Sequence, residues 1–276
     1  MPVFLFCESN FWRNMDLNLK GKVAVVTAAS KGIGKSIAEG LLNEGVKVLI
    51  SSSNRENLRQ LDAEFSEKGF TGYSLEVCDL NLKSDIERLF AKAILEFDTV
   101  DILINNCGGP KAGAPSSMND SDWQKGYEHT LLSAVRLTSL AVEEMKKNKW
   151  GRIINITSLS VKQPIDNLTL SNAFRSALTA YAKTLSLEVG QYNITVNNIM
   201  PGYTLTERLD HLAAIKAEER GIDKAEILRE MAENVPLKRL GKPEEIANIT
   251  VFLCSDAAAY INGTSIPADG GLIKTV

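Results

Sequence analysis

Apolar residues recur along this chain in two alternating patterns. At 23–26, 46–50, 72–77, 100–104, 151–156 and 194–199 they form short runs rich in Val and Ile, as strands buried on both faces require. Between the runs they return every third or fourth residue. Ile33, Ile37 and Leu41 do so with Ala38 and Leu42 beside them, and Ile86, Leu89, Phe90 and Ile94 do so again. That spacing predicts a helix opening near Gly32 and others over 55–68, 82–97, 120–147 and 168–190. Residues 204–235 are charged and amphipathic, helical in pattern, with no strand among them. Pro243 opens a further helix, and 264–267 reads as a last short strand.

Strand and helix thus alternate about seven times with short connections. The pattern predicts an α/β fold, a doubly wound parallel sheet with helices on both faces and right-handed crossovers. No stretch rich in Pro, Gly or Ser divides it, so 15–276 reads as one domain. The first 14 residues, MPVFLFCESNFWRN, do not fit a secretory leader, because the apolar run is short and lacks a basic start. They read as a flexible extension, or Met15 as the true start.

In sheets of this kind the ligand lies outside the carboxyl ends of the strands. Those ends are Thr27, Ser53, Asp79, Asn105, Ser158 and Pro201, which are expected to line one crevice. The first end carries the clearest chemistry. Ala28, Ala29, Ser30 and Lys31 make a small-residue turn into Gly32-Ile33-Gly34, where the first helix begins. Strand, glycine turn and helix together aim free N–H groups and a positive helix end at a pyrophosphate. A tight turn without a ligand is the alternative.

Composition narrows the partners. The 276 residues are 44% hydrophobic and 24% charged, enough for a substantial core, and the net charge of −3 gives no reason to expect nucleic acid. No apolar run is long enough to span a membrane. Cys7, Cys78, Cys107 and Cys254 lack metal-ligand spacing, and His129 and His211 are too few for a zinc site. The cysteines read as free thiols of a reducing, cytoplasmic compartment. Asn-x-Thr triplets begin at Asn155, Asn167, Asn193, Asn248 and Asn262, and are read as coincidence.

From about residue 17 to 271 the chain resembles the short-chain dehydrogenase/reductase family, and within it the 3-oxoacyl-carrier-protein reductases. Thr27–Gly34 resembles T-G-x-x-x-G-x-G with Ala28 in place of the first glycine. Asn105-Asn106-Cys107-Gly108 resembles N-N-A-G, Asn155-Ile156-Thr157-Ser158 the strand with the catalytic serine, Pro201-Gly202 with Thr206 the P-G-x-x-x-T motif, and Asp269-Gly270-Gly271 the C-terminal D-G-G. The resemblance implies a Rossmann fold and a nicotinamide dinucleotide. It implies a site made of Thr27, Ala29, Ser30, Lys31, Gly32, Ile33, Gly34, Ser53, Asn54, Arg55, Asp79, Leu80, Asn105, Cys107, Gly108, Arg175, Pro201, Gly202, Thr204 and Thr206. Asp79 would contact adenine, and Pro201, Gly202 and Thr206 the nicotinamide amide. It further implies a small carbonyl or alcohol substrate, specificity carried by 204–235, and a homodimer or homotetramer built through helices 120–147 and 168–190. Leu131, Leu132, Val135, Leu178 and Tyr181 of those helices would serve the interface or the core.

The second strand ends in Ser52, Ser53, Asn54 and Arg55, with no acid before Glu56. An acid there would bind a ribose 2′-OH and repel a 2′-phosphate. With Lys31 as a second cation, NADP is favoured over NAD.

The family's catalytic residues are Asn, Ser, Tyr and Lys, and this chain departs from three of them. Serine falls on Ser158, but tyrosine falls on Ser171, lysine on Arg175 and asparagine on Thr130. A serine hydroxyl is a far weaker acid than a tyrosine, and a guanidinium stays protonated. Ser171 with Arg175, or Lys162 in the loop after Ser158, would complete the proton path. Tyr203 is a further candidate, and Tyr181 reads as a packing residue. The expected activity is an NADP(H)-dependent oxidoreductase with an altered tetrad. The rival is a non-catalytic protein that keeps the fold and the NADP(H) site.

Overall fold

The computed structural model describes residues 16–275. The readings made for 1–14, Met15 and Cys7 lie outside the described residues. Seven strands form one wholly parallel sheet in the order β3-β2-β1-β4-β5-β6-β7. They are β1 Val23–Val26, β2 Lys47–Ser52, β3 Tyr73–Val77, β4 Ile102–Asn105, β5 Gly151–Ile156, β6 Ile194–Pro201 and β7 Ser265–Ala268. The order reverses at β1, with β2 on one side and β4 on the other. Such a switch opens a crevice at the strands' carboxyl ends.

Adjacent residues of each strand serve opposite layers, as the period of two dictates. Ala24, Val26, Ile102, Ile104, Ile154 and Ile156 pack with helices α1 (Gly32–Asn43), α2 (Arg55–Glu67) and α9 (Pro243–Leu253). Val25, Leu103 and Ile153 pack instead with α3 (Lys83–Phe97), α5 (Ser133–Asn148) and α6 (Thr169–Val189). Both faces of the sheet are therefore dry, which explains the unbroken apolar runs.

Three departures from the sequence pattern matter for the site. The strand at 46–50 runs on to Ser52, because Ser51 and Ser52 still pair with Glu76 and Val77. The helix predicted over 120–147 is α4 (Asp120–Tyr127) and α5, joined by a π-helical turn at Glu128–Leu132. The segment 204–235 divides into α7 (Glu207–Arg220) and α8 (Lys224–Asn234), parted by Gly221 at φ +64°. These two pack on each other through Ala213, Ala217 and Ile227, a small cluster separate from the two main layers.

A row of asparagines crosses the sheet under the crevice. Asn105 Nδ2 donates to Asn155 Oδ1 at 2.9 Å, Asn155 Nδ2 to Asn198 Oδ1 at 2.9 Å, and Asn198 Nδ2 to Ser265 Oγ at 3.1 Å. The three asparagines are direct register partners on β4, β5 and β6. Inside a dry sheet such amides are tolerable because each donates to the next, Asn105 Oδ1 alone in the row lacking a partner among the described residues, and they fix the register where the reactive residues leave the strands.

Candidate cofactor and catalytic site

The glycine turn is built for close approach. Ala28 sits at φ +47°, in the left-handed region that a glycine would occupy without strain. Its carbonyl and that of Thr27 both accept from Asn106 Nδ2, at 3.0 and 3.2 Å. A Cβ on Gly34 would come within 2.8 Å of Ala28 O and Ala29 Cα, so this glycine serves helix-on-strand packing. Gly32, at φ +54°, opens α1, and among the described residues no side chain caps that helix. Gly32, Ile33 and Gly34 face the crevice, leaving the first-turn amides and the positive helix end for an anion.

The large crevice is lined by Ser30, Lys31, Ser53, Asp79, Leu80, Cys107, Gly108, Ser158, Ser171, Arg175, Pro201, Gly202, Thr204 and Thr206. The expected convergence of strand ends holds for four of the six. Thr27 and Asn105 are corrected: both are buried beneath the floor. Thr27 Oγ1 accepts from Asn106 N at 3.0 Å and donates to Asn106 O at 2.7 Å, tying β1 to β4. Asn105 belongs to the asparagine row. Ala29 is fully buried and donates its N–H to Ser51 O, so it holds the turn from behind.

At the end of β2 the groups are hydroxyls and amides. Ser30 Oγ donates to Ser52 Oγ at 2.9 Å, and Asn57 and Ser53 line the wall. Asn54 is occupied as the cap of α2, accepting from Asn57 N. Arg55 is the exposed first residue of that helix. Lys31 is ion-paired to Glu207 of α7 at 2.9 Å.

The reactive end is centred on α6. Ser171 and Arg175, one turn apart, are each only 7% exposed. Arg175 Nη1 donates to the carbonyls of Ile156 and Thr157 at 2.7 and 3.0 Å, which anchors the guanidinium on the end of β5. Its Nε donates to Ser171 Oγ at 3.2 Å. Ser158 follows β5, and its Oγ accepts from Ser160 N. Ser158, Ser171 and Arg175 thus share one pocket.

Two other candidates are not brought there. Lys162 is exposed on the turn after Ser158 and does not line the crevice. Thr130 is 1% exposed, and its hydroxyl has no partner among the described residues. The π turn rotates it into the interior and puts His129 in the crevice instead. Burial, and next the Arg175 charge, push the His129 imidazole below its ordinary range, against Asp79 and the Gly108 backbone. Nothing in the apolar spacing around 120–147 marks a π turn, so His129 was not legible as a site residue. Tyr203 does line the crevice, with its phenol pushed up by burial. Tyr181 packs in the layer of α3 and α5.

A family model described as enoyl-(acyl carrier protein) reductase matches residues 27–273. The chain belongs to the short-chain dehydrogenase/reductase family. It is 36% identical to the 3-oxoacyl-[acyl-carrier-protein] reductase of Escherichia coli over 256 residues, covering 93% of this chain and 99% of that one. It is 33% identical to the 7α-hydroxysteroid dehydrogenase of the same organism, covering 94% and 97%. Among solved structures, the L-sorbose reductase of Gluconobacter frateurii, complexed with NADPH and L-sorbose, superposes with a TM-score of 0.90 at 34% identity, covering 95% and 100%. A 7α-hydroxysteroid dehydrogenase complexed with NADH superposes at 0.84. The short-chain family thus provides neighbours with either nicotinamide cofactor. Among the described residues no helix is long and apolar enough to cross a membrane, and no cluster of metal-ligating side chains occurs.

The site fits a nicotinamide dinucleotide on its own geometry. The uncapped α1 terminus and the glycine turn suit a pyrophosphate. The floor of hydroxyls at Ser30, Ser52 and Ser53 offers donors for the ribose end.

Proposed function

We propose that the protein is an NADP(H)-dependent reductase of a carbonyl compound, or the dehydrogenase of the matching secondary alcohol, with Ser171 and Arg175 in the roles of the family's tyrosine and lysine. The bound dinucleotide would supply or accept the hydride. Gly32, Ile33, Gly34, Asp79, Pro201, Gly202 and Thr206 would hold it, with Arg55 and Lys31 toward the 2′-phosphate. Ser158 positions the carbonyl oxygen. Ser171 Oγ accepts from Arg175 Nε, so its own proton is free to be donated into the crevice. Arg175 stays protonated and lowers the cost of negative charge on that serine. Water from the open crevice then returns the proton to Ser171. The observation that carries this reading is the Arg175–Ser171 hydrogen bond beside Ser158, at the carboxyl end of β5.

The experiment is oxidation of NADPH across a panel of ketones, sugars and β-ketoacyl thioesters, read at the nicotinamide absorbance. Turnover of at least one class is expected. NADPH binding with no turnover on any of them supports the second reading, a non-catalytic NADP(H)-binding protein. That reading is favoured by one observation: at the two positions where the family places its tyrosine and lysine, neither side chain can exchange a proton as readily. Assembly as a homodimer or homotetramer through α4 with α5, and α6, belongs to the same proposal.

A further inference from the structure

Arg208 lies two residues beyond Thr206, in the first turn of α7, and lines the crevice half-buried. Its Nη2 donates to Pro110 O at 3.0 Å, while Nε and Nη1 make no hydrogen bond among the described residues. The loop beneath it is shaped around it. A Cβ on Gly109 would fall 2.6 Å from Arg208 Nε and 2.8 Å from Cζ and Nη2. A Cβ on the neighbouring Gly108 would fall 3.7 Å from His129 Nε2. Gly109 thus lets a flat guanidinium lie on the loop backbone, and the imidazole lies alongside Gly108 at ordinary contact distance.

These groups converge with Arg175 on the 107–109 loop, and among the described residues no carboxylate pairs with either arginine. Among the described residues every hydrogen bond of Arg175 is to a neutral acceptor: Ser171 Oγ, two carbonyls and, distantly at 3.9 Å, Cys107 Sγ. Glu207, the acid next to Arg208, is taken by Lys31. Asp79, Asp166 and Glu219 also line the crevice, but neither arginine forms an ion pair with them among the described residues. The Arg175 charge is felt at both Arg208 and His129, each of which is pushed down by burial first and by Arg175 next. Two poorly solvated guanidiniums repel each other, and holding both without a counter-charge is costly. An anion between them removes that cost and takes hydrogens that Pro110 leaves free, one at Nε or Nη1 together with the second hydrogen of Nη2, in a forked pair of charge-assisted bonds.

We infer that Arg208, on the Gly108–Gly109 loop, is the carboxylate-recognition residue of this site and that the substrate is an oxo acid or the matching hydroxy acid. The inference deepens the reductase reading and rests on it for the identity of the reacting group. It assigns a charge to the substrate and a residue of this chain to hold it.

The test separates the two. With NADP⁺ bound, the full chain is titrated with α-, β- and γ-oxo carboxylates, each paired with its neutral primary amide, and binding is followed by calorimetry. At least one carboxylate is expected to bind about 10-fold or more tightly than its amide, the usual scale of a charged hydrogen bond. Arg208→Gln should erase that preference while leaving NADPH affinity unchanged, and Arg208→Lys should restore part of it. If amides bind as well as carboxylates, or nothing binds, the inference is overturned. If Arg208→Gln weakens NADPH itself, the arginine serves the dinucleotide's phosphates and the inference is overturned too. Turnover is read separately with NADPH. A carboxylate preference in binding without any oxidation of NADPH would sink the reductase reading and leave the anion site standing.

Discussion

Arg175 Nε donates to Ser171 Oγ across 3.2 Å, one helical turn apart on the buried side of α6. In the proposed function the pair takes the roles of the family's tyrosine and lysine. The bond has a direction: the serine accepts, so its proton points away from the arginine. Ser171→Ala is expected to lower kcat by about 100-fold or more, the scale of a lost general acid, with NADPH affinity nearly intact. Arg175→Ala should lower both, because the same guanidinium also anchors on the Ile156 and Thr157 carbonyls. Lys162→Met should change kcat by no more than about two-fold, since the side chain is exposed and off the crevice. Steady-state rates with fluorescence titration of NADPH check all three, and a dead Lys162→Met would reverse the assignment.

The end of β2 is expected to choose NADPH. Ser30, Ser52 and Ser53 provide hydroxyls there, and Arg55 stands at the start of α2 with no acid before Glu56. NADPH should bind about 10-fold or more tightly than NADH, and Arg55→Asp should reverse the order by placing a carboxylate beside the 2′ position. Equal affinity for the two cofactors in the unmodified protein counts against it.

Gly34 tests whether the glycine turn is limited by packing or by ligand approach. A methyl group there would meet Ala28 O and Ala29 Cα, both backbone, within 2.8 Å, and Asn106 Nδ2 within 2.7 Å. Backbone cannot swing aside, so Gly34→Ala should cost about 1–3 kcal/mol of stability. It should also weaken NADPH binding by shifting the turn. Thermal unfolding with and without NADPH measures both effects.

How far the site could be read from sequence depends on which force decides each residue. Strands came through because burial on both faces leaves no alternation to misread. β5 matches its predicted span of 151–156, while β2 starts one residue later than predicted, at Lys47, and runs on through its serines, whose pairing is set by β3. Ser158, Ser171 and Arg175 were found through motif spacing, and the structure brings them together. Thr130 and His129 were exchanged because a π turn adds one residue to the rotation of a helix, and that choice is made by packing against α6 rather than by local apolar period. Thr27 and Asn105 end their strands as expected, but β1 and β4 are central, so their ends are covered and the two side chains knit the sheet. Arg208 carried no signal in an amphipathic, charged segment. Only its fit over Gly109 marks it.

His129 gives the protein a pH dependence whose sign follows from its depressed pKa. Folded, the imidazole titrates below its ordinary value of 6.5, so as the pH falls through that value the unfolded chain binds a proton the folded chain does not. Stability should then fall with pH from 6.5 down to the folded value, by about 1.4 kcal/mol per pH unit at most, and level off below it. His129→Gln removes this contribution. The melting temperature of the variant should drop less than that of the unmodified protein between about pH 7 and pH 5. Parallel curves would show that the imidazole keeps solvent enough to protonate in place.

Restoring the family pattern asks whether the altered pair is a different catalyst or a lost one. Ser171→Tyr with Arg175→Lys would put a phenol at the crevice wall, with an ammonium one turn below it. The ammonium lowers a phenol's pKa from about 10 toward neutrality, whereas no comparable ionisation is available to a serine beside a guanidinium. In the direction of alcohol oxidation the double variant should therefore gain a pH limb between neutrality and about pH 10 that the unmodified protein lacks. Arg175→Lys alone should lower the rate, because a single ammonium cannot reproduce the contacts to both β5 carbonyls and to Ser171. If the natural pair is a working catalyst, the double variant should retain turnover and differ chiefly in its pH profile. Turnover only in the double variant, with NADPH bound equally by both proteins, would mean that the fold and cofactor site were kept while the proton donor was lost.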